Sequence, residues 1–156
     1  MAFRITGLDV DLFRPLFGLT DAELAIRGVR REIADASVPG FPCRVTLAEA
    51  DPGERLLLLN FEHQPARTPY RSAHAIYVRE IARSTYDAID EIPPPLRNRI
   101  LSIRAFDAQA MMVDADIVDG KCAEGEIARQ LSAPGVAYLH VHFARRGCYA
   151  ARVDRA

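Results

Sequence analysis

The stretch "YLHVHFARRGCYAARV", Tyr138–Val153, has a clear secondary-structure pattern near the C-terminus of this chain. From position 138 to 143, apolar side chains alternate with polar-tipped ones, which is the pattern of a β-strand with one face toward a core. The other face then carries Tyr138, His140 and His142 in a row. The turn "RRG" follows, so "CYAARV" is predicted to pair with the first strand as a hairpin.

The segments before this hairpin predict a β-α-β-β arrangement near the C-terminus. A strand at 111–118 is followed by a helix within 121–135, in which Ile127 and Leu131 have i, i+4 spacing and a Pro-Gly pair ends the helix. The order strand, helix of roughly twelve residues, strand is typical of two parallel strands joined by a right-handed crossover.

The fold class that follows is α+β. We expect a single domain over residues 1–156, built on a mixed and mainly antiparallel sheet with two or three short helices. Thr20 and Glu23 have the spacing of a capping box, which predicts where the first helix begins. The other predicted elements are strands at 3–6, 28–35, 55–62, 74–80 and 102–106, helices at 20–27 and 96–100, and a Pro/Gly loop at 37–44.

The composition is that of an ordinary globular protein. The chain has 156 residues, 49% hydrophobic and 26% charged, and its net charge of −1 creates no field that would recruit nucleic acid. Its apolar run at 56–59 is far shorter than the roughly 20 residues of a membrane span, and the N-terminus lacks a secretory pattern. Three cysteines without C-x-x-C spacing fit reduced thiols, so we expect a cytoplasmic location.

The two histidines of the hairpin are candidate metal ligands. Residues two apart on a strand lie about 7 Å apart on one face, and two imidazoles at that spacing can ligate one divalent ion. A carboxylate would complete such a site. The candidate metal ligands are then His140, His142 and Glu62, and Asp114 is an alternative to Glu62 as the carboxylate. The alternative is structural: the imidazoles serve as hydrogen-bonded linkers on a sheet face, and Asp114 pairs with Arg104.

A second chemistry depends on how the hairpin is paired. With a three-residue loop, His142 pairs with Ala150 and Cys148 shares the histidine face; in the same register His140 faces Arg152. Cys148 and His142 would then form a thiolate–imidazolium pair, which makes His140, His142 and Cys148 candidate catalytic residues. A two-residue turn instead moves Cys148 to the opposite face, where a buried, inert thiol is expected.

The segment 60–74, "NFEHQPARTPYRSAH", is dense in polar groups and is predicted to form a loop between two strands. Loops of this kind on a rigid scaffold are where binding sites often lie, and arginines in them can hold a carboxylate or a phosphate. The alternative is a solvated loop. The candidate ligand-binding residues are Tyr138, Glu62, His63, Arg67, Arg71 and His74.

Five segments together resemble a known family. They are "PGFPCR", "LLLLNFEHQP", "PYRSAHAIYVRE", "RAFDAQAMMVDADIVDG" and "YLHVHFARRGCYAARVDR". The chain resembles, over essentially its whole length, a family of small bacterial proteins known as the domain of unknown function number 1203. The resemblance implies a bacterial source and a stand-alone single domain, and it brings no activity and no catalytic residue.

The segment "YLHVHFARR" is also similar to the histidine-triad motif of nucleotide hydrolases and transferases. In that motif three histidines alternate with apolar residues on one strand. Here Tyr138 stands where the first histidine would be, and His140 and His142 match the other two. The resemblance implies His140 as the nucleophile toward a phosphoryl group.

Several functions therefore remain open. One is a binding domain that encloses a small anionic ligand between the histidine face and the 60–74 loop. Another is a hydrolase that depends either on a divalent metal or on a Cys/His pair. A third is a structural protein that binds a partner, or a second copy of itself in a homodimer, through an exposed sheet edge formed by "CYAARV".

Overall fold

The computed structural model of the protein describes residues 1–37 and 40–156. The predicted Pro/Gly loop at 37–44 lies partly outside the described residues. The strands are β1 (Phe3–Thr6), β2 (Arg30–Ile33), β3 (Arg55–Gln64), β4 (Ser72–Arg79), β5 (Asp87–Ile89), β6 (Ile100–Phe106), β7 (Met112–Asp119), β8 (Tyr138–Phe143) and β9 (Tyr149–Arg155). The α-helices are α1 (Asp21–Ile26), α2 (Pro94–Arg97) and α3 (Ala123–Ser132).

The strands form two antiparallel sheets, which confirms the α+β class. The larger sheet has the order β5-β1-β9-β8-β6-β7, and the smaller has the order β2-β3-β4. Because β7 and β8 both pair antiparallel with β6, they run parallel to each other with β6 between them. The predicted β-α-β unit therefore has its parallel strands, but they are separated rather than adjacent.

The alternation along β8 divides the larger sheet into two faces. Leu139 and Val141 are fully buried and belong to the same core cluster as Ile127 and Leu131 of α3. The helix thus covers one face of the sheet with its i, i+4 apolar side chains. The histidines lie on the other face, so a second layer has to cover them.

The smaller sheet supplies that second layer. The continuous apolar run of β3 is buried on both sides for most of its length, and Leu57 and Leu59 join a second core cluster with Leu24 of α1. The predicted capping box is confirmed: Thr20 Oγ1 accepts the Glu23 N–H, and the Glu23 carboxylate accepts the Thr20 N–H. This cap sets the start of α1 at the predicted position.

The strand "CYAARV" is not an edge strand, contrary to the prediction. It forms β9, which pairs with β1 on one side and β8 on the other. The sequence could not reveal this, because β1 lies about 150 positions earlier in the chain and its pairing with β9 is non-local. The edges of the larger sheet are β5 and β7. Within the described residues, no helix has the length and apolar character needed to cross a membrane.

Candidate metal centre

Three histidines converge where the two sheets meet. One ring nitrogen from each of His63, His140 and His142 lies within 4.8 Å of the corresponding nitrogens of the other two. The ring of His63 is 5.0 Å from that of His142 and 6.1 Å from that of His140, measured between centroids. The third histidine comes from the other sheet, so the cluster differs from a triad carried by a single strand.

A β-bulge places His63 in the cluster. Along the β3–β4 pair, Glu62 faces Ala73 and Gln64 faces Ser72, so His63 is an extra residue without a register partner. Bulges bend a strand and redirect its side chains, and they are common beside functional sites. Here the bulge lets two consecutive residues reach the larger sheet: His63 contacts the other histidines, and Gln64 Nε2 donates a hydrogen bond to Tyr138 Oη at 2.8 Å.

A second bulge brings Tyr149 to the histidines. The pairing of His140 with Arg152 holds as predicted, but the register shifts between Val141 and His142, so that His142 faces Tyr149. The ring of Tyr149 stacks on that of His63 at 5.2 Å and presents its edge or face to the other two imidazoles. Burial raises the pKa of Tyr149 above its usual value, so the phenol stays neutral.

This bulge also removes Cys148 from the predicted catalytic set. The expected pairing of His142 with Ala150 is wrong, and the thiol lies in the apolar core on the covered face of the sheet. There Cys148 Sγ accepts a hydrogen bond from Arg44 Nη2 at 3.0 Å. A one-residue slip exchanges the faces of a strand, and the bulge is such a slip, which turn length alone did not predict.

The hydrogen bonds of the imidazoles leave nitrogens free for a ligand. His142 Nδ1 lies 2.9 Å from the Gly147 carbonyl oxygen, which can only accept, so Nδ1 carries the proton and Nε2 keeps a lone pair. Such a bond fixes ring orientation at metal sites. In His63 and His140 the Nδ1 atoms are buried and have no hydrogen-bond partner among residues 1–37 and 40–156. Unpaired buried polar atoms are costly and call for an explanation such as a bound ion.

The three imidazoles are neutral at ordinary pH. Burial is the main cause that lowers the pKa of His140 and of His142 to about 3, and that of His63 to about 4. Neighbouring positive charges act in the same direction; the charge of His74 lowers the pKa of His63 and of His142. Metal binding requires neutral imidazole, so the cluster is in the required protonation state without a proton having to leave.

The structure places the predicted carboxylates away from the histidines. Glu62 is exposed and forms an ion pair with Arg71 at 2.9 Å. Asp114 pairs with Arg129 of α3 at 2.9 Å, so its predicted partner Arg104 was wrong. The third nitrogen is supplied by His63, the sequence neighbour of the predicted Glu62.

The remaining predicted ligand-binding residues divide into two groups. Tyr138 lies at the cluster, where its ring stacks on Phe106 at 5.3 Å and contacts that of His140. Arg67 is exposed and makes no hydrogen bond or ion pair within residues 1–37 and 40–156, and His74 Nδ1 contacts only the Ala75 carbonyl oxygen. The sequence interpretation missed Gln64, Tyr149, Phe106 and Arg104 as site residues, because two bulges and non-local strand pairing place them there.

The fold and the cluster define a class of protein: a small α+β domain that holds three histidines where two antiparallel sheets meet. The chain belongs to the family described as protein of unknown function (DUF1203), whose model matches residues 40–155. The matched range contains all three histidines. Comparison with curated proteins and with solved structures gives no match.

Proposed function

We propose that this protein binds one divalent transition-metal ion through His63, His140 and His142. The observation that carries the proposal is the convergence of three ring nitrogens within 4.8 Å of one another. Zn²⁺–nitrogen bonds are about 2.0–2.1 Å long, so ligand nitrogens around such an ion lie roughly 3.3 Å apart. A closure of at most about 1.5 Å in each nitrogen pair would therefore complete the coordination.

The ligand set indicates the kind of metal and the kind of site. Imidazole suits Zn²⁺, Cu²⁺, Ni²⁺ and Fe²⁺, whereas Mg²⁺ and Ca²⁺ require oxygen ligands. Three protein ligands around an ion that prefers four leave one position for water or a substrate, as in catalytic zinc sites. Such an ion can lower the pKa of its bound water and polarise a carbonyl or phosphoryl oxygen. Of the two enzyme mechanisms considered, this favours metal-assisted hydrolysis over a Cys/His mechanism.

Metal content provides the test of the proposal. Protein purified without a tag or chelator and dialysed against Zn²⁺ should hold about one ion per chain. The double variant His140→Gln/His142→Gln should lose it while remaining folded. His74→Gln is the matched control, since it removes the chain's fourth histidine, which lies outside the cluster, and it should keep the ion. A wild-type protein that retains no metal, or a double variant that retains as much as wild type, overturns the proposal.

The proposal includes a single folding unit in the bacterial cytoplasm. The Gln64–Tyr138 hydrogen bond joins the two sheets directly. Arg44 links them as well, because its backbone N–H donates to the Tyr77 carbonyl of β4 and its Nε donates to the Tyr149 carbonyl of β9 at 2.7 Å. Both connections support one cooperative unit. The cysteines are free, which fits a reducing compartment. One transition in urea, with fluorescence and circular dichroism coincident, is the expected result.

A further inference from the structure

Arg104 lies beside the histidine cluster, and no carboxylate of the described residues compensates its positive charge. The β6–β8 register sets Arg104 opposite His140 and Ser102 opposite His142. Arg104 Nε donates to Ser102 Oγ at 3.2 Å, and this fixes the direction of the guanidinium. Across residues 1–37 and 40–156, no carboxylate forms an ion pair with Arg104, and its Nη1 and Nη2 make no hydrogen bond.

The other arginine whose charge acts on the cluster, Arg152, already has a carboxylate partner. Arg152 makes two hydrogen bonds of 2.8 Å to Asp154, and its guanidinium lies 4.0 Å from the centre of the Tyr138 ring. Arg71 pairs with Glu62. Asp154 and Glu62 are therefore already ion-paired, and Arg104 would need an anion that these carboxylates do not supply.

The charge of Arg104 reaches all three histidines. After burial, which is the main cause, this charge contributes to the lowered pKa of His63, of His140 and of His142. Desolvation by partial burial of the guanidinium also lowers the pKa of Arg104 itself. A divalent ion held by neutral imidazoles would add two more positive charges in the same partly buried place. Buried charges are costly unless they are paired.

We infer, resting on the proposed metal centre, that Arg104 and the bound ion together hold a small carboxylate or oxyanion as the ion's fourth ligand. The free Nη1 and Nη2 form the planar fork that matches two oxygens of such a group. One oxygen would ligate the metal in the position that the three imidazoles leave open. The substrate class of the centre is then a small anion, which agrees with the anionic ligand expected for the histidine face.

The test uses Co²⁺ as the bound metal, because its visible absorption reports changes in coordination. Acetate and phosphate are titrated separately into the Co²⁺-loaded protein. In the wild type, at least one of them should produce a saturable spectral change. Arg104→Gln should weaken that anion at least tenfold, and Arg104→Lys should be intermediate, since it keeps the charge and loses the fork. Arg71→Gln is the control, an exposed and already paired arginine, and should match the wild type.

The outcomes separate this inference from the metal centre on which it rests. A protein that takes up no Co²⁺ overturns both. A protein that takes up Co²⁺, but whose spectrum acetate and phosphate leave unchanged, overturns the anion site alone. Equal weakening of anion binding by Arg104→Gln and by Arg71→Gln also overturns the anion site, because the loss would then come from the reduced positive charge of the protein as a whole. The anion site is supported if Arg104→Gln keeps or raises the Co²⁺ affinity and loses the anion affinity. Thermal melting verifies that each variant is folded.

Discussion

Acidification is expected to destabilise the metal-free protein through its two fully buried histidines. Burial lowers the pKa of His140 and of His142 to about 3 in the folded protein, whereas a histidine in an unfolded chain titrates at about 6.5. Between these values the unfolded chain binds protons that the folded protein does not, so the free energy of unfolding rises with pH. The contribution is complete above the unfolded pKa and is lost progressively as the pH falls toward the folded one.

The size of the effect follows from the two pKa values. At about pH 5, protonation of the unfolded state favours unfolding by about 2 kcal/mol for each imidazole and by about 4 kcal/mol for the pair. That is a large share of the roughly 5–15 kcal/mol by which a domain is stable. The ion-paired carboxylates, such as Glu54 beside Arg79, add to the loss mainly below about pH 4.5, so the window above it isolates the histidines.

Urea denaturation of the metal-free protein at about pH 7.5 and at about pH 5 measures this loss directly. The double variant His140→Gln/His142→Gln should show a flatter pH dependence, in which only the contribution of the half-buried His63 remains. His74→Gln should stay close to the wild-type dependence, because burial and not the charge of His74 is the main cause of the lowered pKa values. Equal wild-type stability at both pH values would contradict the lowered pKa values of His140 and His142. So would a double variant that keeps the full dependence.

Three further predictions concern the scaffold. Gly120→Ala should destabilise the protein by more than about 3 kcal/mol in urea, since its Cβ would lie 1.9 Å from the Leu96 carbonyl oxygen. Gly125→Ala, on the open side of α3, should instead stabilise the protein by up to about 1 kcal/mol. Equal effects of the two substitutions would contradict this. Gln64→Ala should lower the free energy of unfolding by about 1 kcal/mol in a urea titration, because it removes the hydrogen bond to Tyr138. An unchanged free energy of unfolding would show that this bond does not stabilise the protein. Arg44→Met should lower the free energy of unfolding by about 3 kcal/mol or more, because it leaves buried carbonyl oxygens unpaired, and an unchanged melting temperature would disprove this.

The regular parts of the fold were predictable because local patterns specify them. The capping box of Thr20 and Glu23 set the start of α1, and the i, i+4 spacing of Ile127 and Leu131 identified α3. The alternation along β8 correctly assigned its buried and histidine-bearing faces. Each of these signals lies within a few residues, where periodicity and capping act.

The composition of the site was only partly predictable, because bulges determine it. His140 and His142 were found from strand alternation, but the bulges that deliver His63 and Tyr149 have no signature in the sequence around them. Without its bulge, β3 would continue its regular alternation, so Glu62 was expected as the metal ligand and His63 only as a ligand-binding residue of the 60–74 segment. Non-local pairing placed Arg104 opposite His140, and no local pattern reports which strand lies next to which.

The three-histidine centre can be tested by comparing the Zn²⁺ affinity of His63→Gln with that of Glu62→Gln, by competition with a chromophoric chelator. The two residues are adjacent in the chain, and only the structure distinguishes their roles. The account predicts that His63→Gln weakens Zn²⁺ binding about 100-fold, which is about 2.7 kcal/mol, and that Glu62→Gln leaves it within about twofold of the wild type. A large loss in Glu62→Gln together with wild-type affinity in His63→Gln would contradict the three-histidine centre.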